Sequence, residues 1–300
     1  MQYIERNKLV YNRDFAFNGV GLFPTTEQRS HGKASQREEV KSTVNPRTDT
    51  TVAKQDRHEK VVRAFNSWSF KREQPDSPEQ LNAVVRRSVL AGAPVSFVLY
   101  WGKGPRDEIA AADLQCINYL ASLADRVRLA HAPGVRITLV FTDTHAKLNG
   151  HAREATLAYF SAVEEQARLS GFDACLLGDL VVAARICRGP EDITETPDPV
   201  IMRALRKSAA RWYRGEGGTE IGALEYYKSN MAEKRAVELA FPQSIFITFN
   251  GSALRKLFPE NMPVFYMYSL RRGVAVKPWF QDAYPGVRPI AVADGDRLSS

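Results

Sequence analysis

Cysteine is scarce in this chain: Cys116, Cys175 and Cys187 are its three, and no two stand in C-x-x-C spacing. That excludes a zinc ribbon and a disulfide framework, and the apolar context of each suits a reduced core thiol. No run of about eighteen apolar residues exists, so nothing is expected to span a membrane. The opening MQYIERNKLVYNRDF carries charges throughout and lacks an apolar leader segment, which sets the expectation of a cytoplasmic protein. Large apolar side chains all but vanish from Glu27 to about Lys60. Such a segment cannot bury enough area to offset its ordering entropy. Residues 1–60 therefore read as an irregular N-terminal extension and polar linker, with His31 and His58 solvated. Neither the G-x-G-x-x-G dinucleotide fingerprint nor the G-x-x-x-x-G-K-[ST] phosphate loop occurs, and no internal repeat is visible. His131 and His151 lack ligand spacing, so no metal is expected.

What is present is an ordinary globular composition, 44% hydrophobic and 25% charged. A net charge of +7 suits a phosphorylated substrate or RNA without demanding nucleic acid. The stretch PVSFVLYWGKGPRDEIAAAD reads as a strand over 95–100 covered on both faces, a tight loop, and a helix whose acidic first turn begins at Asp107. Upstream, Ser77-Pro78-Glu79-Gln80 opens a helix that Gly92 stops. Downstream, patterning predicts strands over 135–141, 172–180, 244–249 and 263–269, and helices over about 152–169, 199–213 and 219–239. Ile221, Leu224, Tyr227, Met231 and Val237 are read as the buried side of the last helix. Strands and helices alternating with short connections predict a Rossmann-like α/β domain over residues 61–300. Its sheet is mainly parallel, has about five strands, and is flanked by helices.

Open parallel sheets bind ligands beyond the carboxyl ends of their strands. The first strand should present Trp101 and Lys103 there, and the second Thr142, Asp143, Thr144, His145, Lys147 and Asn149. The third offers Asp179, the fourth Asn250, and the fifth Arg271 and Arg272 with Lys277 and Trp279 beyond. Lys103 stands either in an anion-binding strand–loop–helix turn or, solvated, in a plain β–α turn. Asp143 and His145 flank Thr144. In an extended chain they share a face and form a carboxylate-held general base; otherwise Asp143 caps the next turn and His145 lies on the surface. Arg203, Arg206, Lys207, Arg211 and Arg214 make one basic stripe, which is a solvated face, a phosphate clamp or a track for RNA. Cys175, placed mid-strand, is a poor nucleophile.

The order of these features resembles the pyoverdine/dityrosine biosynthesis family, the isonitrile (isocyanide) synthases. Four places over residues 77–285 carry the resemblance. The first is the strand and loop from Phe97 through Trp101-Gly102-Lys103-Gly104-Pro105, and the second is Pro133-Gly134 leading to Thr142-Asp143-Thr144-His145. The third runs from Tyr226-Tyr227-Lys228 through Lys234-Arg235 to Phe241-Pro242, and the fourth is Lys277-Pro278-Trp279. The chain also departs from the family pattern. Thr144 stands where glycine follows the motif aspartate, Ala146-Lys147-Leu148-Asn149 replaces a Phe-x-Asp, and the loop before Lys103 lacks Pro-Cys.

The resemblance implies an enzyme without a cofactor. It would join the amine of an amino acid, tyrosine or tryptophan favoured, to the ketone of ribulose 5-phosphate and leave an isonitrile carbon on that nitrogen. With the strand-end candidates, this gives Lys103, Asp143, His145 and Asp179 as catalytic groups. Trp101, Lys147, Asn149, Lys228, Arg235, Arg271, Arg272, Lys277 and Trp279 are the expected contacts to the amino acid and the phosphorylated sugar. A second reading is an aminoacyl-tRNA-dependent transferase of the cyclodipeptide-synthase kind. That class wants a nucleophilic serine after the first strand, where Lys103 stands. A third is a non-catalytic RNA-binding protein, whose binding would weaken steeply with salt.

Overall fold

Seven residues of largely β-branched and aromatic type, Val95–Trp101, form β1 at the centre of a sheet, and five of the seven are buried. Burial on both faces is what a near-continuous apolar run requires. The computed structural model describes residues 57–67, 69–102, 104–184, 197–268, 270–271 and 274–275. Most of the expected linker, Lys103, Cys187, Arg272, Lys277 and Trp279 lie outside the described residues, and so does the side chain of Arg271.

The other strands are β2 (Val135–Phe141), β3 (Asp173–Leu176), β4 (Ile245–Thr248) and β5 (Val264–Tyr266). They assemble in the order β3-β2-β1-β4-β5, every pair parallel, with Val95 opposite Val135 and Phe97 opposite Ile245. The helices are α1 (residues 57–65), α2 (Pro78–Ala91), α3 (Ala111–Ala130), α4 (Asp143–Leu148) and α5 (Arg153–Leu169). They continue with α6 (Leu177–Ala183), α7 (Pro199–Trp212) and α8 (Gly218–Ala240). This is the Rossmann-like, parallel five-stranded α/β sheet that the patterning predicts. A short antiparallel pair, β6 (Leu270–Arg271) and β7 (Val274–Ala275), was not foreseen. No helix among the described residues is long and apolar enough to cross a membrane.

Side chains alternate along β1 and feed two apolar layers. Phe97, Leu99 and Trp101 join the layer built with α1, α2, α3 and α5, whereas Val98 falls in the layer built with α7 and α8. Tyr100 packs against that second layer.

Three expectations are corrected. Asp107 and Glu108 sit in a bend, and α3 begins at Ala111. The carboxylate that caps it is Asp113, fully buried, which accepts the Ala110 N–H at 3.0 Å. The third strand stops at Leu176, and the chain turns helical as α6, so Asp179 lies in a first helical turn rather than at a strand end. On α8 the expected side holds in part: Tyr227 and Val237 are buried and Leu224 and Met231 half-buried, but Ile221 is 46% exposed, and Tyr226, Asn230 and Glu233 are buried besides. A helix can turn a glutamate inward when donors await it there.

Candidate functional site

At the end of β2 the Thr142 hydroxyl donates to the Trp101 carbonyl at 3.3 Å, and the Thr142 N–H points to the same oxygen at 3.4 Å. The carboxyl ends of β1 and β2 are thus lashed together. The chain then turns helical at once as α4, and residues two apart on a helix do not share a face. Asp143 and His145 therefore part company. Asp143 reaches α6, where its Oδ1 accepts the Gly178 N–H at 2.9 Å. His145 reaches α8, where its Nε2 lies 2.9 Å from Oε2 of Glu233. The carboxylate that holds the imidazole is Glu233, and the expected Asp143–His145 pairing is corrected.

Glu233 is 1% exposed. Its Oε1 accepts the hydroxyls of Thr144 and Ser229, each at 2.6 Å, while Oε2 faces His145. Burial pushes this carboxyl up, but His145 and the two hydroxyls outweigh it and hold its pKa below the ordinary glutamate value. Burial likewise disfavours the imidazolium of His145. The Glu233 carboxylate, by charge and hydrogen bond, overcomes that with help from Asp143 and raises the His145 pKa above its usual value. Burial raises the pKa of Asp143 too, against the Gly178 hydrogen bond, and the nearby charge of Asp179 adds to the rise. An imidazole backed by a buried carboxylate, beside a carboxyl displaced toward neutrality, is equipment for moving protons.

Other candidates divide. Asn149 joins the cluster by accepting the Tyr226 hydroxyl, whose ring lies 5.9 Å from that of His145. Asp179 is exposed but near enough to influence Asp143. Lys228, on α8, pairs with Glu225 at 3.6 Å. Lys147 and Arg235 are exposed and do not join the cluster. Trp101 is 2% exposed on the opposite face of β1, where its indole N–H donates to the Tyr159 hydroxyl at 3.3 Å. That placement takes it out of the expected aromatic pocket. Of the loop that carries Lys103, a Cβ on Gly102 would lie 3.9 Å from Thr142 Oγ1 and one on Gly104 3.4 Å from His151 Nε2. Burial pushes the Cys175 thiol up to about 12, which leaves it inert as a nucleophile.

The basic stripe on α7 is partly spoken for. Arg206 grips Glu220 with both carboxylate oxygens at 2.8 and 2.9 Å, and Arg211 lies 4.5 Å over the Trp212 ring. Arg214 donates to the carbonyls of Tyr213 and Arg211. Among the described residues no group of three or more His, Cys, Asp or Glu could hold a metal ion.

Glu233 and Ser229 escaped sequence reasoning. The available signal was Glu233 recurring at helical spacing with Tyr226, Asn230 and Val237, a charged residue in a buried phase. Gly178 offers a test of the Asp143 arm, because a Cβ there would lie 2.6 Å from Asp143 Oδ2. Gly178→Ala is expected to swing that carboxylate away. We expect a stability loss of about 1 kcal/mol from the broken hydrogen bond, read by thermal melting, and a larger proportional loss of turnover.

No family model matches the sequence, and no curated protein matches it. Among solved structures, the PvcA protein from Pseudomonas aeruginosa aligns with a TM-score of 0.50 at 15% identity, over 71% of this chain and 92% of that one. Tyrosyl-tRNA synthetase complexed with L-tyrosine from Pyrococcus horikoshii aligns at TM-score 0.42 and 15% identity, over 67% of this chain and 52% of that one. The corresponding Archaeoglobus fulgidus structure gives 0.47 and 12%, over 71% and 65%. This chain therefore spans about half of the first synthetase and just under two thirds of the second. Its fold is like that of PvcA, in line with the resemblance of its ordered motifs to the pyoverdine/dityrosine family.

Proposed function

We propose that the chain is an isonitrile-synthase-like biosynthetic enzyme that joins the amine of an amino acid, tyrosine or tryptophan favoured, to a sugar phosphate such as ribulose 5-phosphate. The observation that carries this reading is the His145–Glu233 pair, 2.9 Å apart at the carboxyl edge of a parallel sheet. The ordered motifs and the fold shared with PvcA support it.

In this reading free His145 takes a proton from the substrate ammonium, and the released amine adds to the ketone carbon. Asp143, its carboxyl pushed up by burial, protonates the departing hydroxyl so that water leaves and an imine remains. Both carbon–carbon bonds of the former ketone carbon must then break to leave that one carbon on the nitrogen, and each cleavage calls on a base again. Lys103 and Arg271, with Arg272 and Lys277, supply cationic donors for the phosphate. Trp279 offers an aromatic wall to the amino acid.

Purified protein incubated with tyrosine or tryptophan and ribulose 5-phosphate is expected to yield the isonitrile mass by mass spectrometry. Lys103→Ala is expected to lower that yield by roughly 100-fold or more, the effect of deleting one electrostatic contact to the reacting substrate. No new mass with any proteinogenic amino acid overturns the proposal.

A further inference from the structure

The hydroxyl of Tyr100 is buried and has no hydrogen-bond partner among the described residues. Buried polar groups nearly always find partners, so an orphan of this kind requires an account. Tyr100 is the last but one residue of β1, the strand from which the sheet grows in both directions, to β2 on one side and β4 on the other. In open α/β sheets the crevice at that switch point is where ligands bind. The ring lies on the α7/α8 side and meets Phe246 of β4 edge-on, 5.0 Å between centroids at 72°. Glu233 lies close enough for its charge to act on Tyr100, yet both its oxygens are taken by Thr144, Ser229 and His145. The hydroxyl is left in reserve.

Its surroundings also restrict what it can meet. Burial, with the negative charges of Glu233 and Glu238 adding, keeps the phenol protonated throughout the working range, so it acts as an O–H donor. The same two carboxylates repel a carboxylate or phosphate placed beside it. We infer that Tyr100 is a specificity-determining residue whose hydroxyl donates to a neutral oxygen of the substrate at the β1–β4 crevice. The identity of that oxygen rests on the proposed function: the ketone or an alcohol of the sugar, or the phenol of tyrosine.

Tyr100→Phe removes the hydroxyl and keeps the ring. In the ligand-free protein, the Tm of the variant is expected to equal or exceed that of the wild type, because a buried group without a partner has been deleted. A Tm lower by several degrees means the hydroxyl is bonded within the protein and overturns the inference. This arm does not depend on what the enzyme makes. In turnover, kcat/KM is expected to fall about 10- to 100-fold, the cost of one lost substrate hydrogen bond. If the oxygen is the phenol, the wild type prefers tyrosine to phenylalanine and the variant does not. If it belongs to the sugar, that preference is unchanged and KM for ribulose 5-phosphate rises. Unchanged kcat/KM overturns the inference while leaving the proposed function standing. A wild type that makes no isonitrile overturns the proposed function, and the melting comparison then decides the role of Tyr100.

Discussion

Replacing Glu233 by glutamine moves the acid limb of the pH–rate profile to lower pH and slows the reaction at every pH. The carboxylate faces His145 at 2.9 Å and is what raises the imidazole pKa against the opposing effect of burial. With its charge removed, burial becomes the dominant influence and favours the neutral ring. The base is then free at lower pH but less firmly oriented. His145→Ala, which deletes the base outright, is expected to cost about 10²- to 10⁴-fold in kcat/KM, the usual worth of a positioned general base. Profiles of kcat/KM from acid to mildly basic pH check both. A limb that stays in place in the glutamine variant would mean that His145 is not the titrating group.

The same pair has a sign in stability. A histidine whose folded pKa is raised contributes fully below its unfolded value of 6.5, and that contribution is lost as pH rises through the folded value. Glu233, whose folded pKa is depressed, contributes above its unfolded value of 4.5 and loses that contribution as pH falls through the folded value. The pair therefore stabilises most in the interval where carboxylate and imidazolium coexist.

Phe65→Ala is expected to be the most destabilising single change outside the site. Phe65, on α1, is fully buried and meets Phe97 of β1 and Phe265 of β5 edge-on, each at 5.3 Å between ring centroids. Deleting a buried ring that bridges the central strand and an edge strand leaves a cavity and two rings without their neighbour. The cost is about 3–5 kcal/mol, and at about 2–4 °C per kcal/mol for a domain of this size the melting shift is unmistakable. A loss below about 1 kcal/mol would mean that α1 does not hold the sheet as its packing requires. Residues 57–60 begin that helix, so the polar stretch ends earlier than its composition suggests. His58, read as solvated, belongs to α1 and has a buried Nδ1.

The legible parts of this protein are those in which neighbours in the chain carry the signal. The run from Val95 to Trp101 could only be a covered strand, and Ser77-Pro78 with Gly92 bracketed α2 to within a residue. The turns after β2 and β3 carry no helical signal, because short helices at strand ends have too few residues to show a period. An extended backbone there would put Asp143 and His145 on one face, whereas the helical turn hands the imidazole to Glu233.

Sequence alone determined the class of the fold, the succession of the five parallel strands and of the long helices between them, and the edge at which polar residues gather, because periodicity and turn chemistry are local. Which polar residues meet was decided only by the tertiary structure. His145 and Glu233 stand 88 positions apart, and their contact exists because α8 packs its buried face against α4. A glutamate within an apolar stripe reads as a misfit until the donors of another helix are seen to surround it; burial with partners is a property of the assembled molecule.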